Sequence, residues 1–191
     1  MHDRAPQPAN SETADIELNV DINGKLRMET MPDCARFSLR CRPNSVSGLS
    51  KAFGCELPGE IGQTRISALR LALKLGPDEW QLYAPEQEAE PIVRAFADCY
   101  GDDTHSLVDI SNREISLLVA GNHAALALRS GCAFDIEAMQ IGGTTRTSFN
   151  GADIVLTRHE HEKYRVDVWR SFATHVIGIL RAASREIEIG I

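Results

Sequence analysis

The sequence predicts an α+β domain: antiparallel sheets with packed helices, a split βαβ (ferredoxin-like) core and a C-terminal helix. Three observations carry this. In SALRLALKLGPDEWQLYAPE (67–86), Leu69, Leu71, Leu73 and Leu75 share one face of a strand while Arg70 and Lys74 mark the other. Gly76-Pro77-Asp78-Glu79 supplies turn chemistry, and Trp80, Leu82 and Ala84 return on a single face, which makes a hairpin. From residue 80 to 149 the elements then run strand, helix, strand, strand, helix, strand, the split βαβ order. Finally, Tyr164, Val166 and Val168 alternate with Arg165, Asp167 and Trp169 at a two-residue period, after which Phe172, Val176, Ile179/Leu180, Ala183 and Ile187 repeat at helical spacing. A strand there runs straight into a helix.

The elements follow in order. Residues 1–33 are polar and acidic, with Pro6, Pro8 and Pro32, and read as a flexible arm in which IELNVDI pairs at most as a lone strand. A single domain is expected over 34–191. ARFSLRCR reads as a strand, Val46 to Phe53 as a weak helix, and Leu57-Pro58-Gly59 as a turn. After the hairpin, Ile92, Ala95, Phe96 and Cys99 form one stripe of a helix from about Glu86 to Tyr100, stopped by Gly101. SLVDI and EISLLVA are strands around Ser111-Asn112-Arg113. Asn122 is placed to cap a short helix that Gly131 ends, and Asn150-Gly151 is a two-residue turn between TTRTSF and ADIVLTR. Ser171 is placed as the N-cap of the last helix, with Arg170 just outside it. No internal sequence repeat is evident.

Composition excludes several classes. At 191 residues the chain can bury a full core without disulfides or metal. Net charge is -7, and the first 33 residues hold seven acids against three bases, so the remainder is nearly balanced. Nucleic acid and anionic membrane are therefore not expected partners. Five cysteines without a CxxC pair fit a reducing cytoplasm, and neither an apolar leader nor a window of roughly 18 apolar residues is present.

Each reactive side chain has a structural explanation. His159-Glu160-His161 lies at a hairpin tip without a third ligand at suitable spacing, so no metal site is expected. His175 precedes core-facing Val176 and reads as a partly buried structural histidine. Ser171 lacks a G-x-S-x-G elbow, and Gly121 and Gly142-Gly143 form no phosphate loop. Asp109 and Glu114 flank a turn as exposed acids. Trp80, Trp169, Arg170 and Phe172 stand apart, because tryptophan and arginine are enriched in interface hot spots, although a core role suits at least one tryptophan.

LGPDEWQLYAP (75–85), VDISNREISLLVAG (108–121), GCAFDI (131–136), TRT (145–147) and above all YRVDVWRSFATHVIGILRAA (164–183) resemble the gamma subunit of bacterial heterotetrameric sarcosine oxidase. The likeness runs in order from about Ala35 to Glu188 and is most specific in LGPDEW and WRSF. It implies a fold akin to the folate-binding aminomethyltransferase domains. It also implies an enzyme complex that demethylates sarcosine to glycine, passing the one-carbon unit to tetrahydrofolate or releasing formaldehyde, with hydrogen peroxide as the oxygen product. In that family the cofactors FAD, FMN and NAD, and tetrahydrofolate, belong to partner subunits, and gamma carries no established catalytic residue.

The resemblance therefore implies a non-catalytic, cytoplasmic assembly subunit, with large alpha and beta subunits and a small delta subunit as partners. It binds no cofactor of its own, and its interface is expected at Trp169, Arg170, Phe172 and Trp80. Two alternatives are the equivalent subunit of another N-methyl amino acid oxidase or dehydrogenase, and a free-standing folate-dependent one-carbon enzyme. The second needs a carboxylate to grip a pterin, for which Asp109 or Asp135 are the candidates.

Overall fold

The computed structural model describes residues 16–190, in which helices cover only the outer faces of two opposed sheets. The strands are β1 (Asn19–Ile22), β2 (Leu26–Thr30), β3 (Ala35–Cys41), β4 (Thr64–Ser67), β5 (Arg70–Lys74), β6 (Glu79–Ala84), β7 (His105–Asp109), β8 (Glu114–Ala120), β9 (Thr144–Phe149), β10 (Ala152–Glu160) and β11 (Lys163–Trp169). The helices are α1 (Val46–Phe53), α2 (Ala89–Cys99), α3 (Ala124–Arg129) and α4 (Arg170–Ile189). One sheet has the order β1-β2-β8-β11-β10-β9 and the other β4-β5-β6-β3-β7, with every named pair antiparallel.

Strand periodicity decides what fills each layer. In β3 and β6, Phe37, Leu39, Trp80 and Leu82 point to one side and meet Leu49 and Phe53 of α1 and Ile92 and Phe96 of α2. In β8, β10 and β11, Ile115, Leu117, Ile154, Leu156, Tyr164 and Val166 meet Leu128 of α3 and Val176, Ile177 and Leu180 of α4. The alternate residues of the same strands, including Arg36, Gln81, Glu114, Ser116, Arg165 and Asp167, therefore turn toward the opposite sheet, where they are buried.

The topology contains the split βαβ, but it starts at β3. Because β6 and β7 both pair antiparallel with β3, they run parallel to each other on either side of it, joined through α2. The series strand, helix, strand, strand, helix, strand over 80–149 is divided instead: β6, α2 and β7 belong to one sheet and β8, α3 and β9 to the other. β7 and β8 are consecutive yet unpaired, because residues 110–113 carry the chain between sheets.

The two halves repeat one topology. The strand order β4-β5-β6-β3-β7 corresponds to β9-β10-β11-β8-β2, with α1 matching α3 and α2 matching α4. The final strand of the second half is supplied by β2, from the start of the chain. This corrects the expectation of an arm to residue 33. Leu18, Leu26 and Met28 are buried in the core under α3 and α4 and β2 pairs with β8, so residues 18–30 are structural; residues 1–15 lie outside the described residues. A short sequence echo marks the repeat. Ile61-Gly62-Gln63-Thr64 and Ile141-Gly142-Gly143-Thr144 lead into β4 and β9, each threonine being the first residue of its strand, and an antiparallel bridge joins Gln63 to Gly143 between the sheets.

Two local expectations change. Leu69 lies in the turn between β4 and β5, exposed, while Leu71 and Leu73 face the other sheet. Helix α4 begins at Arg170, whose amide donates to the Arg113 carbonyl, so Trp169 is the cap residue and Ser171 is already helical. Among the described residues no helix is long and apolar enough to cross a membrane.

Candidate functional site

Between the sheets sits a buried ionic network. Asp167 accepts from Arg165 Nε at 3.0 Å and from Ser116 Oγ at 2.6 Å, with Arg36 Nη2 at 3.4 Å. Both guanidiniums also donate to Ser116 Oγ, Arg36 at 2.6 Å and Arg165 at 2.7 Å, and Arg36 donates to the Glu114 carbonyl at 2.8 Å. Glu114 accepts from Gln81 at 2.6 Å and from Arg113 at 2.8 Å. Two buried cations thus face two buried anions. The Tyr83 ring lies 3.9 Å from Arg165 and 5.3 Å from Arg36, a cation–π contact to each. Burial works to raise the Asp167 pKa, but the Arg165 and Arg36 charges and its hydrogen bonds outweigh that and hold it below the ordinary value.

The network opens at one end into a cleft of about 360 Å³ whose walls come from both sheets. Glu79 of β6 bridges to Arg146 of β9 at 2.6 Å and to Arg40 of β3 at 3.1 Å. The Arg146 hydrogen bond is the main reason that the Glu79 carboxyl titrates below its usual range. Trp169 forms part of the rim, with the Arg113 guanidinium 5.3 Å from its ring.

Of the four expected interface residues, three lie together at the junction of β11 and α4, and of these Trp169 lines the cleft. Trp169 is 44% exposed and Phe172 43%. Arg170 pairs with Asp33 at 3.1 Å and donates to the Asn112 carbonyl at 3.1 Å, the acidic partner that its place at a helix N-terminus demands. Trp80 is placed elsewhere. It is 1% exposed beneath α1 and α2, with Nε1 donating to the Pro58 carbonyl at 3.0 Å, so its surface is committed to the chain's own core.

Other residues are redistributed too. Glu114 is a buried member of the network and not an exposed turn acid. Asp109 Oδ1 accepts from the Ser111 amide and hydroxyl, and Asp135 Oδ1 from the Ala138 amide, so each exposed carboxylate is tied to its local turn through one oxygen. His159 is half-buried on β10, where burial first and then the Arg165 charge lower its pKa, while His161 is exposed at the tip. His175 is exposed and bonds the Asn150 carbonyl at 3.1 Å. Among the described residues no group of three or more His, Cys, Asp or Glu could hold a metal. The five cysteines are free, and burial pushes the Cys41 thiol up to about 11. Sequence reasoning missed Arg36, Gln81, Arg113 and Arg146. The available signal was the polar alternation Arg36-Ser38-Arg40 in β3, matched by Arg165-Asp167 in β11.

The model of the "sarcosine oxidase, gamma subunit family" matches residues 40–186. The chain is 29% identical over 158 residues to the sarcosine oxidase subunit gamma of Corynebacterium sp. (strain U-96), covering 80% of this chain and 76% of that protein. Its fold is similar to a chain of the heterotetrameric sarcosine oxidase from Corynebacterium sp. U-96 in complex with pyrrole 2-carboxylate. The TM-score is 0.79 at 24% identity, over 91% of this chain and 89% of that one. It is also similar in fold to the glycine cleavage system aminomethyltransferase T from Bartonella henselae, with a TM-score of 0.63 at 13% identity over 82% of this chain and 45% of that one. The aminomethyltransferase-like architecture that the resemblance implied is therefore the one observed, and the match over residues 40–186 places this chain in the sarcosine oxidase gamma subunit family.

Proposed function

We propose that this chain is the gamma subunit of a cytoplasmic, heterotetrameric sarcosine oxidase-type complex and serves to assemble and stabilise its larger subunits. The family match over residues 40–186 carries the reading. The chemistry of the cleft supports it: Glu79 and Glu114 are each held by arginine, and Ser171 lies in the first turn of α4. Flavin and dinucleotide chemistry, with FAD, FMN and NAD, then belongs to the alpha and beta subunits, and a small delta subunit completes the complex. Trp169, Arg170 and Phe172 form the contact corner, where a partner removes two half-exposed aromatic rings from water.

Co-expression with the large subunits followed by size exclusion tests this: the chain is expected to co-elute with them. Elution alone at every concentration overturns the proposal. Arg170→Ala is expected to weaken assembly more than it lowers the melting temperature of the isolated chain, and unchanged affinity removes this corner from the interface.

The competing reading, a free-standing folate-dependent enzyme, needs a carboxylate aimed into a pocket. Asp109 and Asp135 are exposed residues that each bond a local turn, and neither lines the cleft between the sheets. Saturable micromolar binding of tetrahydrofolate by the isolated chain favours that reading instead.

A further inference from the structure

The cleft between the sheets holds polar groups that its ion pairs leave unspent. Its lining carries three cations, Arg40, Arg113 and Arg146, and four anions, Glu79, Glu114, Asp153 and Asp167, with the Arg36 and Arg165 guanidiniums behind Asp167. Arg40 and Arg146 are committed to Asp78 and Glu79, Glu114 to Arg113 and Gln81, and Asp167 to Arg165 and Arg36. Asp153 differs: it is exposed on β10, and among the described residues no ion pair or side-chain hydrogen bond reaches its carboxylate. Arg113 is only partly used. Its Nη2 donates to Glu114 at 2.8 Å and its guanidinium lies 5.3 Å from the Trp169 ring, while among the described residues its Nε and Nη1 have no acceptor.

From the facing sheet, the cross-strand partners Ser38 and Gln81 line the same cleft. Gln81 is only 3% exposed and its Nε2 is spent on Glu114 at 2.6 Å, yet no donor among the described residues reaches its Oε1. A buried amide oxygen left without a donor is costly, so this atom marks where a donor belongs. Strand register gathers these groups around one ring. One residue beyond the Ile154–Val168 pair, Asp153 stands beside Trp169, and Trp169 pairs with Glu114, which holds Arg113. Asp153 and Glu114 thus lie on the two strands that flank β11, two ladder spacings or about 10 Å apart. A hydrogen bond of about 3 Å at each end leaves a gap that suits opposite charges separated by one or two carbon atoms. Because the lining charges nearly cancel, a ligand of one sign loses at one wall what it gains at the other, whereas a ligand carrying both signs gains at both.

We propose that this cleft binds a small zwitterion of the α-amino acid class. Its ammonium donates to Asp153, Gln81 Oε1 and Ser38 Oγ, its carboxylate accepts from Arg113, and its carbon frame rests against the half-exposed Trp169 ring. Binding here involves no chemical step and is independent of the subunit reading.

The test titrates glycine and alanine into the isotope-labelled full chain and follows its two indole N–H resonances by NMR. Trp169 reports on the cleft, and Trp80, tied to the Pro58 carbonyl in the core, is the internal control. The expected result is a saturable shift of the Trp169 resonance with Trp80 unmoved, and binding about tenfold weaker or more for acetate and for methylammonium, which carry one charge each. Asp153→Asn is expected to weaken binding about tenfold or more without lowering the melting temperature, since this carboxylate has no partner to lose; Arg113→Gln is expected to weaken it as well. The proposal is overturned if neither amino acid gives a saturable Trp169 shift, if Asp153→Asn binds as the wild type does, or if a single-charge fragment binds as tightly as glycine.

Discussion

The layers outside the two sheets and the layer between them are built from opposite chemistries. Under α1 and α2, and under α3 and α4, buried side chains are almost all aliphatic or aromatic. Between the sheets, a small apolar cluster of Leu71, Leu73, Tyr83 and Val155 adjoins Arg36, Arg165, Asp167 and Glu114. Apolar burial is non-directional and supplies stability wherever shapes fit. Buried ion pairs barely repay their desolvation, but they demand one geometry. The comparison teaches that the outer layers hold each half together, whereas the ionic layer selects a single way for the halves to face each other.

Single substitutions in either layer are expected to have the largest effects and to look alike. Phe37→Ala, in the fully buried core of one half, should cost about 3–5 kcal/mol through its cavity. Asp167→Ala should cost about 3–5 kcal/mol as well, because it strands two buried guanidiniums. Urea denaturation of the isolated chain checks both.

Joint replacement separates the layers. Arg36→Met, Arg165→Met and Asp167→Leu together should return stability to within about 2 kcal/mol of wild type, since buried ion pairs can be exchanged for apolar groups at little net cost. A triple variant as unstable as Asp167→Ala alone would mean that the network is a net source of stability, against the comparison.

Acid should act on the inner layer first. Asp167 and Glu79 both titrate below their ordinary values in the folded chain, so the stability they contribute is complete above the unfolded pKa. It is lost as pH falls through the folded values, from roughly pH 4 downward. Asp167→Asn should flatten that part of the stability–pH curve, and an unchanged slope would exclude this carboxylate as its origin.

The smallest effect is expected outside both layers. Gly178 lies on the exposed face of α4 with nothing within 4 Å of where a Cβ would sit, so Gly178→Ala should stabilise the isolated chain by about 0.5–1 kcal/mol. Thermal melting checks it.

Strands and helices were legible where one face met a helix-covered core. The alternation from Tyr164 to Val168 and the stripe from Val176 to Leu180 describe β11 and α4 closely, because period reports local burial directly. The β1–β2 hairpin was hidden by the acids around it: Leu18, Leu26 and Met28 are its fully buried anchors, with Val20 and Ile22 packed beside them, and its pairing partner lies some ninety residues away in β8. The site was partly legible. Trp169, Arg170 and Phe172 share a corner because a strand and helix abut there, whereas Trp80 follows the same enrichment rule yet points into the core with Leu82.

What the sequence alone determined was each element's period, its breaks and the motif series that marks the family, since these depend on neighbours a few residues apart. Only the tertiary structure decided that Arg165 and Asp167 face a second sheet rather than water, that β2 completes the half formed by the end of the chain, and that Leu69 is bare while Leu71 is buried. Each of these depends on which distant surface covers a strand face, and the same alternation is written whether that cover is solvent or another sheet.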